Sequence, residues 1–167
     1  KYDIDFPYSL PYKEGEEYSI GQGYNGKISH QGEFALDFIM PIGTEITAAR
    51  DGIVVDVQDS NTETCMSKDC AEFNNYIVIY HEDGTMAEYT HIDTKGSLVK
   101  KGDVVKRGDK IGLSGNIGWS SGPHLHFFSF VSDIEKGRRS IRTKFRTEGN
   151  KLEFLQEKKS YKKDYEF

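Results

Sequence analysis

Residues 122–131, with the sequence GPHLHFFSFV, place two histidines at alternate positions of an aromatic and apolar run. A run of this composition that follows a turn signal predicts a β-strand. Because side chains two residues apart on a strand lie on one face, we expect His124 and His126 to share a face and Leu125 to lie on the other. The Gly- and Ser-rich segment 114–123 precedes this strand and would let the backbone approach a ligand closely.

Further short runs of β-forming residues, each bounded by turn signals, lie on the N-terminal side of this strand. We predict strands over 53–57, 76–80, 86–92, 104–105 and 110–113, with Asp83-Gly84 as a hairpin signal between the second and the third. Residues 101–103 and 107–109 share a Gly-Asp pattern and predict turns. Only residues 151–163 show a weak helical period. The expected fold is therefore mainly β, with an antiparallel sheet and long loops.

The composition fits one domain and argues against two broad classes of protein. The 167 residues include 10 Tyr, 10 Phe and 17 Gly, which suit strands and turns better than a helical bundle. A net charge of −5 argues against a nucleic-acid partner, which would require a basic surface. No apolar run approaches the roughly 20 residues of a membrane-spanning helix, so we expect no integral membrane segment in this chain.

The distribution of charge along the chain suggests three parts. Residues 132–167 contain 11 basic and 7 acidic residues, whereas acidic residues dominate 1–131. We expect an irregular N-terminal arm over 1–20, a main domain over 21–131, and a basic C-terminal extension over 132–167 that packs on the domain or trails from it. The charged segment 151–167 is expected to be solvated.

The two cysteines, Cys65 and Cys70, lie in a polar stretch that we expect to be a long loop over 58–75. Their close spacing favours a disulfide, and hence an oxidising compartment; two free thiols in a reducing compartment are the alternative. Because the chain begins at Lys1 without an initiator methionine, we expect a mature or trimmed form whose targeting segment is missing.

The remaining histidines lie in three different settings. His30 precedes Asp37 by seven positions, and an imidazole with a carboxylate is a donor pair that suits Zn²⁺. His91 lies in Tyr89-Thr90-His91-Ile92, in the strand that follows the predicted hairpin. His81 adjoins the turn at 82–84, so we expect it on the surface and outside any site.

Taken together, these segments resemble the lysostaphin-type (LytM-type) zinc metallopeptidases of peptidase family M23, which cleave peptide bonds in bacterial peptidoglycan. The matching segments in order are His30 with 37–41 and 43–44, then 48–54, 83–85, 89–91, 101–108 and 122–127. The resemblance covers about residues 20–131 and implies a lysostaphin/LytM-like catalytic domain, related to the duplicated-hybrid-motif fold, over 21–131.

The resemblance also implies roles for individual residues. His30, Asp37 and His126 would be the three ligands of one Zn²⁺ ion, and water would occupy the fourth position. His124 would be the general base, and His91 would orient the water or stabilise the oxyanion. Apart from the resemblance, the position of Tyr24 six residues before His30 makes it a candidate for substrate contact in a Tyr-rich cleft, with ordinary packing as its alternative.

Two departures from the family pattern affect the expected site. Six residues separate His30 from Asp37, more than is usual in the family, so the segment around 33–35 must loop out or lengthen the strand. Phe128 follows the His-Leu-His-Phe motif where the family commonly has an acidic residue or Gln.

The function implied by the resemblance is hydrolysis of a peptidoglycan peptide, in a stem or a cross-bridge, at an extracytoplasmic location: periplasmic, cell-envelope or secreted. A second possibility is a non-catalytic zinc-binding member that regulates amidases or acts as a secreted binding module. A third is a β domain whose histidines are only structural. The bond cleaved and the oligomeric state are left open.

Overall fold

Strands are the main regular secondary structure in the computed structural model, which describes residues 2–166. In chain order they are β1 (Pro7–Ser9), β2 (Glu17–Gln22), β3 (Ala35–Ile39), β4 (Glu45–Thr47), β5 (Gly52–Gln58), β6 (Thr64–Cys65), β7 (Tyr76–Tyr80), β8 (Met86–Thr90), β9 (Ile92–Ser97), β10 (Val104–Val105), β11 (Lys110–Ser114), β12 (Gly118–Trp119), β13 (His124–Asp133), β14 (Gly137–Ile141), β15 (Lys144–Thr147), β16 (Lys151–Glu153) and β17 (Ser160–Lys162).

A nine-stranded antiparallel sheet forms the centre of the molecule. Its strand order is β10-β5-β7-β8-β13-β3-β2-β17, and β14 pairs with the C-terminal half of β13. Three smaller sheets flank it, with the orders β4-β11-β9, β1-β15-β16 and β6-β12. The predictions of a mainly β, antiparallel fold and of a hairpin between β7 and β8 are confirmed.

The long strand β13 separates the apolar core from the polar face that carries the histidines. Leu125 and Phe127 are fully buried and pack in the main core with the β3 residues Leu36 and Phe38. The alternation predicted from the sequence is therefore confirmed, because His124 and His126 lie at the intervening positions and contact polar groups on the opposite face.

The N-terminal segment is more regular than we expected. Residues 7–9 form β1, and β2 begins at Glu17, so the prediction of an irregular arm over 1–20 is wrong for these positions. Tyr8, Leu10 and Tyr12 are buried in the main core, where their apolar area stabilises the fold.

The C-terminal segment packs on this N-terminal one. Strand β15 pairs with β1, and β17 pairs with β2. The Tyr12 hydroxyl donates a 2.6 Å hydrogen bond to the Tyr161 carbonyl, and the Tyr165 hydroxyl accepts one of 2.9 Å from the Leu10 N–H. Tyr161, Lys163 and Tyr165 are buried, so the expectation that 151–167 is solvated is wrong at these positions.

The weak helical period over 151–163 is not realised. Residues 151–153 and 160–162 form β16 and β17, because tertiary pairing with β15 and β2 overrides a marginal local preference. Within residues 2–166 the helical segments are two short 3₁₀ helices, Lys68–Phe73 and Glu148–Asn150, and neither is long and apolar enough to cross a membrane.

The loop 58–75 contains β6 and the first 3₁₀ helix, and Cys65 and Cys70 form the disulfide favoured by the sequence. Strand β6 pairs in parallel with β12, which belongs to the Gly- and Ser-rich segment that precedes His124. The loop 58–75, which we call the disulfide-closed loop, therefore packs against the segment 114–123 that leads into His124 and His126.

His81 is buried, so its expected surface position is wrong. Its Nδ1 lies 2.7 Å from the Asp51 carbonyl oxygen, and the Tyr8 ring packs edge-on against it at a centroid distance of 5.9 Å. Tyr8, which is distant in the sequence, thus covers a turn that the local sequence predicts to be exposed. Burial lowers the pKa of His81 to about 4.

We expect His81 to make the fold sensitive to acid. The unfolded chain takes up a proton at His81 near pH 6.5, whereas the folded chain does so near pH 4, so stability is present above pH 6.5 and is lost as the pH falls through this range. The free energy of unfolding of the wild type should fall about 1.4 kcal/mol per pH unit more steeply than that of His81→Asn. Urea titrations followed by tryptophan fluorescence would measure both; parallel pH profiles would contradict this expectation.

Candidate metal centre

Strand register places a row of polar side chains across the central sheet. Asp37 on β3 lies opposite His126 on β13, and Gln22 on β2 lies opposite Asp37 on its other side. On the far side of β13, Thr90 of β8 lies opposite His126. Directly opposed residues on neighbouring strands are close enough for their side chains to touch, so four strands contribute to one polar row.

The carboxylate of Asp37 is the centre of this row. Its Oδ1 lies 2.8 Å from His126 Nδ1 and 3.4 Å from His30 Nε2. The same oxygen lies 3.5 Å from His124 Nε2. Burial opposes ionisation of Asp37, but the hydrogen bond to His126 and the nearby His30 and His124 rings outweigh it and hold the pKa of this carboxyl far below its usual value.

His30 lies in the loop between β2 and β3 and is 2 % exposed. Its Nδ1 lies 3.0 Å from the Gly23 carbonyl oxygen, and because a carbonyl only accepts, Nδ1 carries the hydrogen. The buried Nε2 has no hydrogen-bond partner among residues 2–166, although it faces Asp37. Burial lowers the pKa of His30, but the nearby Asp37 carboxylate raises it to a net value above normal.

These three side chains fit a zinc ion. One ligand atom each of His30, Asp37 and His126 lies within 4.8 Å of the other two. Two imidazoles and a carboxylate are a common donor set for catalytic zinc, in which three protein ligands leave one position open. The buried, unpartnered Nε2 of His30 is the kind of group that a metal would satisfy.

The long spacing between His30 and Asp37 does not disturb this convergence. Residues 31–34 form a turn and a short irregular segment before β3 begins at Ala35, so the added residues are taken up outside the strand. Phe34 anchors the segment, since its N–H donates a 3.0 Å hydrogen bond to Ser140 Oγ. The structure therefore realises the first of the two predicted alternatives, a loop.

His91 and His124 form a second pair beside the three candidate ligands. Their ring centroids lie 4.6 Å apart. His91 lies between β8 and β9 with a φ of 70°, a left-handed conformation, rather than within a strand as predicted. Burial lowers the pKa of His91 to about 3, with the neighbouring His124 and His126 acting in the same direction.

Backbone carbonyls orient both rings of this pair. His91 Nδ1 lies 2.7 Å from the Ile117 carbonyl oxygen, and His124 Nδ1 lies 2.7 Å from that of Gly122. Each Nδ1 therefore carries the hydrogen, which leaves each Nε2 as a free acceptor. Burial also lowers the pKa of His124, so both rings are neutral near pH 7.

The disulfide-closed loop holds these carbonyls in place. The Gly118 N–H donates to the Glu63 carbonyl over 2.8 Å, and the Ser120 N–H donates to the Cys65 carbonyl over 3.1 Å. Asn74 Oδ1 accepts a 2.9 Å hydrogen bond from the Trp119 N–H. No local sequence signal connects this loop with the site, because the contacts join segments more than 40 residues apart.

Tyr24 is engaged within the protein. Its hydroxyl lies 3.1 Å from both the carbonyl oxygen and the hydroxyl of Thr143, and its ring packs edge-on against Phe34. These contacts favour the packing alternative over a hydroxyl contact with substrate. Gln22, by contrast, belongs to the polar row without having been predicted, and no local sequence signal marks it.

Comparison with known proteins agrees with this geometry. The profile of Peptidase family M23 matches residues 30–136, which include all five candidate ligands and catalytic histidines. Peptidoglycan DD-endopeptidase ShyA of Vibrio cholerae is 44% identical over 91 residues, which make up 54% of this chain and 18% of that protein. The chain spans less than a quarter of the length of the curated relatives it matches.

Solved structures show the same fold. The lysostaphin catalytic domain from Staphylococcus simulans is 30% identical with a TM-score of 0.54, over 75% of this chain and 87% of that one. A zinc-containing peptidase from Vibrio cholerae is 27% identical with a TM-score of 0.54, over 82% of this chain and 39% of that one. Because the family model matches more than half of its length, the chain belongs to peptidase family M23.

Proposed function

We propose that this chain is a zinc-dependent endopeptidase domain that hydrolyses peptide bonds in bacterial peptidoglycan. The observation that carries the proposal is the convergence of His30, Asp37 and His126 beside the neutral pair His91 and His124. A relative named as a peptidoglycan DD-endopeptidase supports a stem or cross-bridge peptide as the substrate.

His30, Asp37 and His126 would hold the zinc ion. When bound, zinc supplies Lewis acidity, which lowers the pKa of a water to about 7 and polarises a carbonyl group. The protein contributes orientation, because the Gly23 carbonyl holds the His30 ring with its Nε2 directed at Asp37. The surrounding imidazoles outweigh the effect of burial on the Asp37 carboxyl and keep it ionised and able to bind a cation.

His124 is suited to be the general base. Its Nε2 is the free acceptor of a neutral ring and faces the candidate ligands, so it can take a proton from an attacking water. The imidazolium that forms would be stabilised by the Asp37 carboxylate, whose Oδ1 lies 3.5 Å away. The Gly122 carbonyl would retain its hydrogen bond throughout this transfer.

His91 is suited to orient that water. Its Nδ1 hydrogen is directed at the Ile117 carbonyl, so its Nε2 can accept a hydrogen bond but has no hydrogen to donate to an oxyanion. Of the two roles implied by the family resemblance, this tautomer favours orientation of the water. The left-handed backbone at His91 holds the ring beside His124.

An extracytoplasmic location is part of the proposal. The Cys65–Cys70 disulfide is typical of oxidising compartments, and peptidoglycan lies outside the cytoplasm.

We expect the zinc-loaded chain to release soluble muropeptides from purified peptidoglycan, because the three proposed ligands lie beside the proposed base His124 and the proposed orienting residue His91. Mass spectrometry of the products would report both activity and the bond cleaved. His124→Ala should be inactive while it still binds zinc. A wild type that binds one zinc ion yet releases nothing from any wall or bridge peptide would support the non-catalytic alternative instead.

We expect Asp37→Ala to lose zinc, because the substitution removes a ligand oxygen and the charge that faces three imidazoles. Metal content after dialysis, measured by inductively coupled plasma mass spectrometry, should fall to background. Asp56→Ala, which removes an exposed carboxylate on β5, should retain one zinc ion per chain. Full zinc occupancy in Asp37→Ala would show that the ligand assignment is wrong.

We expect His91→Ala to retain zinc and lose rate, because the ring is not among the converging ligand atoms yet lies beside His124. Loss of the orienting contact should lower kcat by about 100-fold. Steady-state kinetics on a released bridge or stem peptide, with metal analysis of the same sample, would test this. Loss of zinc together with activity would place His91 among the ligands.

A further inference from the structure

Gln22 is a buried residue whose amide contacts Asp37 of the candidate metal centre. It is 5 % exposed and lies at the end of β2. Its Nε2 donates to Asp37 Oδ2 over 3.1 Å and to Ser29 Oγ over 2.9 Å. Its Oε1 accepts from the N–H groups of Ser29 at 2.9 Å and His30 at 3.3 Å. The hydrogen-bonding capacity of the amide is thus fully used within the site.

These contacts divide the two oxygens of the Asp37 carboxylate between different partners. Oδ1 faces the imidazoles, whereas Oδ2 is held by the Gln22 amide. The terminal torsion of an aspartate is broad, so a carboxylate without such a contact would sample other orientations. The amide therefore favours the orientation in which Oδ1 is presented to His30 and His126.

The same amide also fixes the backbone that carries His30. The His30 N–H donates to Gln22 Oε1, and the His30 ring is held separately by the Gly23 carbonyl. One side chain thus links two of the three candidate ligands. Neither hydrogen bond involves a residue of the apolar core. Loss of the amide would therefore affect the orientation of the ligands more than the stability of the fold.

We propose that Gln22 is a positioning residue that sets the affinity of this site for zinc by orienting Asp37 and His30. This inference rests on the metal site of the proposed function but not on peptide hydrolysis. Partners that orient metal ligands commonly change metal affinity 10- to 100-fold when they are removed.

Gly26 provides an independent way to move the Gln22 side chain. A Cβ added at Gly26 would overlap Gln22 Cγ and crowd Oε1, and the φ of Gly26 is not in the left-handed region. Alanine is therefore compatible with the backbone there. It would displace the Gln22 amide although no residue of the polar row is substituted.

The test is the zinc dissociation constant of Gln22→Met, measured by competition with a chromogenic chelator. Methionine has a similar length but cannot make these hydrogen bonds, so the constant should rise roughly 10- to 100-fold. Gln58→Met is the matched control, since Gln58 lies on β5, outside the four strands of the polar row, and its amide donates to the exposed Ser60 hydroxyl. Its constant should stay within about twofold of wild type.

Cobalt substitution separates positioning from a loss of stability. The visible absorption of bound Co²⁺ reports ligand geometry, so its band positions and intensities should change in Gln22→Met and not in Gln58→Met. Gly26→Ala should shift both readouts in the same direction as Gln22→Met. If Gln22→Met does not fold, Gly26→Ala decides the question alone.

Wild-type zinc affinity and an unchanged cobalt spectrum in folded Gln22→Met or Gly26→Ala would overturn this inference alone, with the proposed function intact. A wild type that binds no zinc would overturn both. A wild type that binds zinc tightly but cleaves no peptide would overturn the peptidase proposal, while the role of Gln22 would still be decided by the two variants.

Discussion

The pairing of Asp37 with His126 across β3 and β13 is the constraint on which the site depends. It is enforced by apolar side chains, since Leu36 and Phe38 flank Asp37 and are fully buried on the opposite face. A slip of one residue would bring the Asp37 carboxylate into the core and these apolar side chains to the polar face. Burying an ionised group there is costly, so core packing and site geometry specify the same register.

The β3–β13 register alone does not orient the histidine rings, and backbone carbonyls of the loops do so. His30, His91 and His124 each direct Nδ1 at a backbone carbonyl, of Gly23, Ile117 and Gly122 respectively. Each ring therefore has a defined tautomer and a free Nε2. The disulfide-closed loop packs against the segment that provides two of these carbonyls, which connects a covalent feature of the fold to the neutral histidine pair.

Local pattern was enough to predict β13 and the β7–β8 hairpin but not β3, which carries Asp37, and the family resemblance supplied the ligand set. The two-residue period of β13 placed His124 and His126 on one face, and Asp83-Gly84 marked the hairpin. Contacts distant in sequence were not predictable. Tyr8 buries His81, and Gln22 reaches Asp37 only because the β2–β3 register shifts between Ile20 and Gln22. A register shift and a contact between distant residues both depend on tertiary packing, so neither produces a periodic pattern in the sequence.

The most direct test is an anomalous-difference map recorded at the zinc absorption edge from crystals of the zinc-loaded chain. We expect one strong peak per chain, roughly 2.0–2.2 Å from ring nitrogens of His30 and His126 and from a carboxylate oxygen of Asp37. Ordered zinc at a different set of residues, or no peak at these three side chains, would contradict the proposal that the β3–β13 register builds a metal centre.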